Sequence, residues 1–225
     1  VTDARVQQAA EFLREWDGRM EPDRIAASIF EVFFRHWSHT VAAARFDDAV
    51  APLMAGAVGG LALALLNDDA HGWFAPGARV SKIVAAFNAA LDELEARLGT
   101  EPARWQWGNL HTITLRHPLT GRGDLSTLLD RGGYPLGGNG FTVCNTGYEV
   151  TPAGYEATAG ANYRLIADLG SGAQGLWASD SAGISGHPGS AHYCDQLTGW
   201  LAGQYHFLPL DRDALEAKAR LTPTP

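Results

Sequence analysis

A chain of 225 residues with 46% hydrophobic and 19% charged side chains can bury a sizeable core, as one large domain or two small ones. A net charge of −8 with scattered basic residues argues against nucleic acid or an anionic membrane as partner. The low charged share suggests that something else covers part of the surface.

The chain enters a polar helix pattern directly after Val1-Thr2, so any export leader is expected either to have been removed or to lie upstream. The first helix is predicted from Asp3 to Trp16, with Val6, Ala9, Ala10 and Leu13 at helical spacing and Asp17-Gly18 as its stop. Pro22 and Asp23 suit the first turn of a second helix, whose apolar face (Ile25, Ile29, Val32, Phe33, Trp37, Val41) continues to about Phe46. Ala49 to Leu66 holds eighteen residues without a charge. It also holds Pro52, Gly56, Gly59 and Gly60 and is flanked by Asp47, Asp48, Asp68 and Asp69. That pattern predicts a buried helix, not a membrane span. After a loop at Gly72–Gly77, Ser81 is expected to cap a helix striped by Ile83, Val84, Phe87, Leu91, Leu94 and Leu98 and closed by Gly99.

The character then changes. Residues 1–100 hold 7 glycines and 3 prolines, and residues 101–225 hold 19 and 8, so helix should give way to strand and loop. Strands are predicted at Thr112–His117, Phe141–Asn145, Ala161–Leu169 and Leu176–Ala178. Pro135–Gly140 reads as a glycine-rich turn and Thr151–Ala159 as a polar loop. A short helix is expected over Leu197–Tyr205, then an extended piece at Leu208–Leu210 and a last helix from Asp211 to Ala219. The fold class is therefore α+β: a helical region over 1–100 and a mostly antiparallel strand-and-loop region over 101–225.

The densest chemistry lies in Gly183–Gln196, where three glycines and Pro188 accompany His187, Ser190, His192, Tyr193, Asp195 and Gln196. Two readings compete. As a clasp, Ser190 or His192 would cap a helix beginning near Tyr193, with Asp195 and Gln196 in its first turn. As a site, His187, His192 and Asp195 would supply acid–base groups. A serine elbow fails because His187 stands where G-x-S-x-G requires glycine. His36 and His39 share a helical face, but no acid motif accompanies them, so no metal is expected. Gly137-Gly138-Asn139-Gly140 lacks the Lys-Ser/Thr and the helix of a phosphate loop. Trp105, Trp107 and Trp177 read as core or as the wall of an apolar pocket. Cys144 and Cys194 permit one disulfide or two buried thiols.

Five motifs occur together and in order: Trp16-Asp17-Gly18-Arg19-Met20, Trp105-x-Trp107-Gly108-x-x-His111, Gly138-x-Gly140-x-Thr142-Val143, Gly160-Ala161-x-Tyr163-Arg164, and Ser185-Gly186-x-Pro188-x-Ser190-x-His192-Tyr193-x-Asp195-Gln196. Together they resemble the penicillin acylase (penicillin amidase) family of N-terminal nucleophile hydrolases. The resemblance implies a precursor that cuts itself and a serine at the new N-terminus acting on a linear, non-peptide amide. It also implies a four-layer αββα core, no cofactor and an exported protein, periplasmic or secreted. Val1 is not that serine, so the resemblance places this chain in the C-terminal part of the large chain. The nucleophile and the oxyanion asparagine are then expected elsewhere, with the N-terminal part of the parent enzyme as partner. On this reading no catalytic residue lies here. His187, Ser190, His192, Tyr193, Asp195, Gln196, Trp107 and His111 become candidates for shaping or backing the acyl cleft. Ala191, Cys194 and Cys144 depart from the family pattern, and the two unusual cysteines favour a Cys144–Cys194 disulfide. The alternatives are a non-catalytic binding domain derived from such a segment, and an independent hydrolase using His187, His192 and Asp195.

Overall fold

The chain was analysed as a computed structural model that describes residues 3–121, 124–170, 172, 174–211 and 213. Among these it forms seven α-helices and two sheets. The described residues fall into two compact units, and neither is continuous in sequence. One comprises the residues up to Ile113 together with Gly133–Thr158; the other comprises Thr114–Gly132 and the residues from Ala159 onward.

The first unit is built on α2 (Ile25–Ala43). Ala27, Ile29, Val32, Trp37, Val41 and Ala42 are fully buried, as expected of a helix that is apolar around most of its circumference. It packs against α5 (Ala78–Leu98), which buries Ala86, Ala90, Leu91 and Leu94; Leu91 and Leu94 belong to the expected stripe, whereas Val84 of that stripe is exposed. Phe33 meets Phe87 edge to face, with ring centroids 5.5 Å apart. Helix α1 (Ala4–Arg14) is capped by Asp3, which accepts from the Arg5 N–H at 2.9 Å. Arg5 in turn reaches Asp92 and Glu95 on α5, at 2.6 and 3.0 Å.

Several boundaries differ from expectation. Helix α2 starts at Ile25, because Pro22 and Asp23 form a turn ahead of it and the Pro22 carbonyl accepts from Gly108 N–H at 2.7 Å. The uncharged stretch is two helices, α3 (Ala51–Ala55) and α4 (Gly59–Asn67), interrupted at residues 56–58, where Gly56 weakens the helix. Among the described residues no helix is long and apolar enough to cross a membrane. Ser81 does not cap α5. The helix begins after Gly77, and the Ser81 hydroxyl donates to the Ala78 carbonyl.

The larger sheet runs β2 (Arg131–Pro135), β1 (Thr112–Leu115), β4 (Gly154–Gly160), β3 (Thr146–Thr151), with β1 and β4 parallel and Ile113 opposite Ala157. The supposed polar loop is thus mostly strand. On β4 only Tyr155 and Ala157 mark the buried face, a weak alternation in sequence. Phe141–Asn145 is not a strand. Thr142 Oγ1 accepts from Asn139 N–H and donates to the Cys144 carbonyl, holding a turn that leaves Phe141 and Val143 exposed.

The second unit carries an antiparallel sheet, β5 (Arg164–Ile166), β6 (Gly175–Ser179), β7 (His206–Pro209), and the short helices α6 (Ser126–Leu129) and α7 (Leu197–Leu201). Trp200 of α7 is buried, with the Arg164 guanidinium 4.1 Å from its ring centroid. The expected last helix, Asp211 to Ala219, lies outside the described residues except for Asp211 and Asp213.

Candidate functional site

The residues singled out from sequence collect in two places, one in each unit. In the first unit, Trp107 lies in a 3-10 turn, Trp107–Asn109, fully buried, and its indole N–H donates to the Gly138 carbonyl at 2.9 Å. The turn is pinned by Trp107 N–H to Arg24 O and Gly108 N–H to Pro22 O. A Cβ on Gly108 would lie 2.7 Å from Pro135 Cβ and 2.9 Å from Pro22 Cβ, so only glycine fits. His111 stacks on Trp107 at 4.8 Å and is also fully buried. Burial lowers its pKa and keeps the ring neutral. The Nδ1–H then donates to the Tyr155 carbonyl at 2.8 Å, and Nε2 faces Thr146 Oγ1 at 3.1 Å. Both ring nitrogens are thus engaged within this unit.

Around this pair lies a polar cluster that sequence reasoning missed. Glu31 of α2 is 7% exposed, and its carboxylate accepts from Tyr148 OH at 2.6 Å and from Asn139 Nδ2 at 2.8 Å. Burial raises its pKa above 4.5 against the pull of those two donors. Burial and the facing Glu31 carboxylate also push the Tyr148 phenol up. Nearby, Glu93 of α5 accepts from Arg35, from His36 Nε2 at 2.8 Å, Arg97 Nε at 2.9 Å and Tyr155 OH at 3.0 Å. The available signal was Glu31 itself, a carboxylate set between Ile29 and Val32 on the apolar face of α2.

In the second unit, Gly183–Gln196 folds back on itself. Ser185 N–H donates to His192 O at 3.1 Å, and Gln196 N–H donates to Ala182 O at 2.9 Å. The hydroxyls of Ser185 and Ser190 accept from the main-chain N–H groups of His187 and His192. His187 Nδ1 accepts from Gly189 N–H at 3.0 Å. His192 Nδ1 sits 2.7 Å from Asp195 Oδ2, an exposed pair. The hydrogen bond with His192 is the main cause that lowers the Asp195 pKa. Tyr193 OH donates to Leu129 O, and Arg131 lies 4.9 Å over its ring. The expected cap is absent: α7 starts at Leu197, and its N-terminus has no side-chain cap. The suggested disulfide is not formed either. Cys144 and Cys194 are thiols, and the exposed Cys144 directs its sulfur to Gly137 O at 3.8 Å. Among the described residues no group of three or more His, Cys, Asp or Glu could hold a metal.

The penicillin amidase family model matches residues 2–217. The chain belongs to the penicillin amidase family. Relatives include the acyl-homoserine lactone acylase QuiP of Pseudomonas putida, 29% identical over 89% of this chain and 26% of that protein. The QuiP of Pseudomonas aeruginosa is 36% identical over 61% of this chain and 18% of its own length. Penicillin acylase 2 proenzyme of a Pseudomonas species is 33% identical over 85% of this chain and 25% of its own length. The chain thus spans about a quarter or less of these curated relatives. Among solved structures, the thermostable penicillin G acylase from Alcaligenes faecalis matches in fold with TM-score 0.56 and 16% identity, over 100% of this chain and 44% of that one.

Proposed function

We propose that this chain is the C-terminal segment of a penicillin amidase-type enzyme that hydrolyses a linear amide through an N-terminal serine outside the segment. The observation that carries this reading is the family match over residues 2–217 in a chain spanning 18–26% of those three relatives. The local chemistry supports it. The Ser185 and Ser190 hydroxyls serve main-chain amides, His111 has both ring nitrogens occupied, and His192 faces an acid at the surface. In the enzyme so assembled, the serine hydroxyl attacks the amide carbonyl and the amine leaves with a proton. Water then releases the acyl group as a carboxylic acid. Trp107 and His111, and separately His187, Ser190, His192, Tyr193, Asp195 and Gln196, fix backbone that backs or shapes the acyl cleft.

The test compares the isolated chain with the full-length protein that carries it, on a chromogenic phenylacetyl amide and a panel of longer acyl amides. Turnover by the full-length protein and none by the isolated chain is expected. Turnover by the isolated chain would place the nucleophile within it and overturn the proposal. A full-length protein inert on the whole panel would favour a non-catalytic binding module.

A further inference from the structure

A cavity of about 640 Å³ opens in the helical unit, between the C-terminal end of α2 and the start of α5. Its volume is in the range that takes a small organic ligand. Trp73 and Phe74 are among its lining residues and give it an aromatic wall. Trp73 is fixed by its indole N–H, which donates to Val41 O at 2.9 Å, and Phe74 is buried against Trp37 at 5.5 Å. Three basic side chains, His39, Arg45 and Lys82, also line it, and no carboxylate does.

This is a local reversal of charge in a chain of net charge −8. Two nearby carboxylates accept from main-chain amides, and Asp69 also feels the charges of Arg79 and Arg45. Asp69 accepts from Trp73 and Phe74 N–H at 2.6 and 2.9 Å, and Asp47 accepts from Ala49 and Val50 N–H at 3.1 and 3.0 Å. Arg45 is held over Trp73, 5.2 Å from the ring centroid, by one donation to Gly72 O at 2.8 Å. A guanidinium has five N–H donors, so most of its capacity stays open. Among the described residues, neither the His39 nor the Lys82 side chain has a hydrogen-bond or ion-pair partner.

The geometry points to a binding site for a small amphipathic carboxylate, its apolar or aromatic body against Trp73 and Phe74 and its carboxylate toward Arg45 and Lys82. A cation is repelled by the Arg45 guanidinium and the Lys82 ammonium. A neutral ligand forgoes the charge-assisted hydrogen bonds, and a bare inorganic anion forgoes the aromatic wall. The inference stands independently of the amide-hydrolase reading.

The test uses the full-length protein labelled with 5-fluorotryptophan and read by fluorine NMR, with the Trp73 resonance assigned by its loss in Trp73→Phe. Titration with 3-phenylpropionate should shift that resonance saturably. In an Arg45→Gln/Lys82→Gln variant the midpoint should rise at least tenfold, while the remaining tryptophan resonances stay in place as evidence of an intact fold. The matched amide, 3-phenylpropionamide, and inorganic phosphate should leave the Trp73 resonance unmoved at the same concentrations. An unresponsive resonance, an unchanged midpoint in the double variant, or equal binding of the amide or of phosphate would overturn the assignment. Because the readout is local to Trp73, it is independent of amide turnover.

Discussion

Replacing Glu93 by Gln tests the electrostatic centre of the helical unit. The Glu93 side chain is 14% exposed and is met by Arg35, His36, Arg97 and Tyr155. Burial alone would raise its pKa, but the His36 hydrogen bond, the Arg35 charge and the Tyr155 and Arg97 hydrogen bonds prevail and bring it from 4.5 to about 2. The folded value lies below the unfolded one. The stabilisation is therefore present above pH 4.5 and is lost as pH falls through about 2. At about 1.4 kcal/mol per pH step the ceiling is about 3 kcal/mol, and solvent screening of the half-buried arginines brings the working figure nearer 2 kcal/mol. Urea unfolding followed by tryptophan fluorescence should show Glu93→Gln less stable by about 2 kcal/mol at pH 7, with the gap about 1 kcal/mol narrower at pH 3.5. The same gap at both pH values would refute an electrostatic origin, and no gap at pH 7 would refute the role of Glu93 altogether.

Two further outcomes follow from close backbone approaches. Gly138 has φ +81°, and a Cβ there would lie 1.9 Å from the Cys144 carbonyl oxygen, so Gly138→Ala should cost at least about 3 kcal/mol in thermal or urea unfolding. A loss below about 1 kcal/mol would mean that the turn presenting Asn139 to Glu31 is not rigid. In the Gly183–Gln196 loop, a Cβ on Gly183 would lie 2.2 Å from His192 O, whereas the His192 side chain is 63% exposed. Gly183→Ala should therefore speed amide hydrogen exchange across 183–196 and His192→Ala should not; the reverse order would show the imidazole, not the backbone, holding the loop.

The helices were legible because burial imposed a period on them. Ile29, Val32, Phe33, Trp37 and Val41 line α2, and Leu91 and Leu94 are fully buried on α5, as the spacing requires. The strands were harder. Strand β2 reads Arg-Gly-Gly-Tyr-Pro and β4 reads Gly-Tyr-Glu-Ala-Thr-Ala-Gly, so main-chain pairing decides them where side chains carry little pattern. Phe141 and Val143 misled in the opposite direction, since apolar residues in a turn held by Thr142 resemble a strand in one dimension. Trp107 and His111 were visible as a motif, but Tyr148 and Tyr155, which meet Trp107, and Glu31 and Asn139, which join Tyr148, arrive from three other parts of the chain, a grouping that no local spacing encodes.

The alternation of the chain between its two units has a consequence for synthesis on the ribosome. The helical unit needs Gly133–Thr158, so it cannot be completed when Ile113 has emerged; it waits for the chain to leave, build Thr114–Gly132, and return. Residues that close the unit late include Asn139, Thr146, Tyr148 and Tyr155, the partners of Glu31 and His111. A nascent chain stalled near residue 113 would therefore present α2 with Glu31 buried among apolar side chains and without its donors, a state that chaperones and proteases recognise. No single cut divides this polypeptide into its two units, and a library of truncations should show solubility returning only once Thr158 is included.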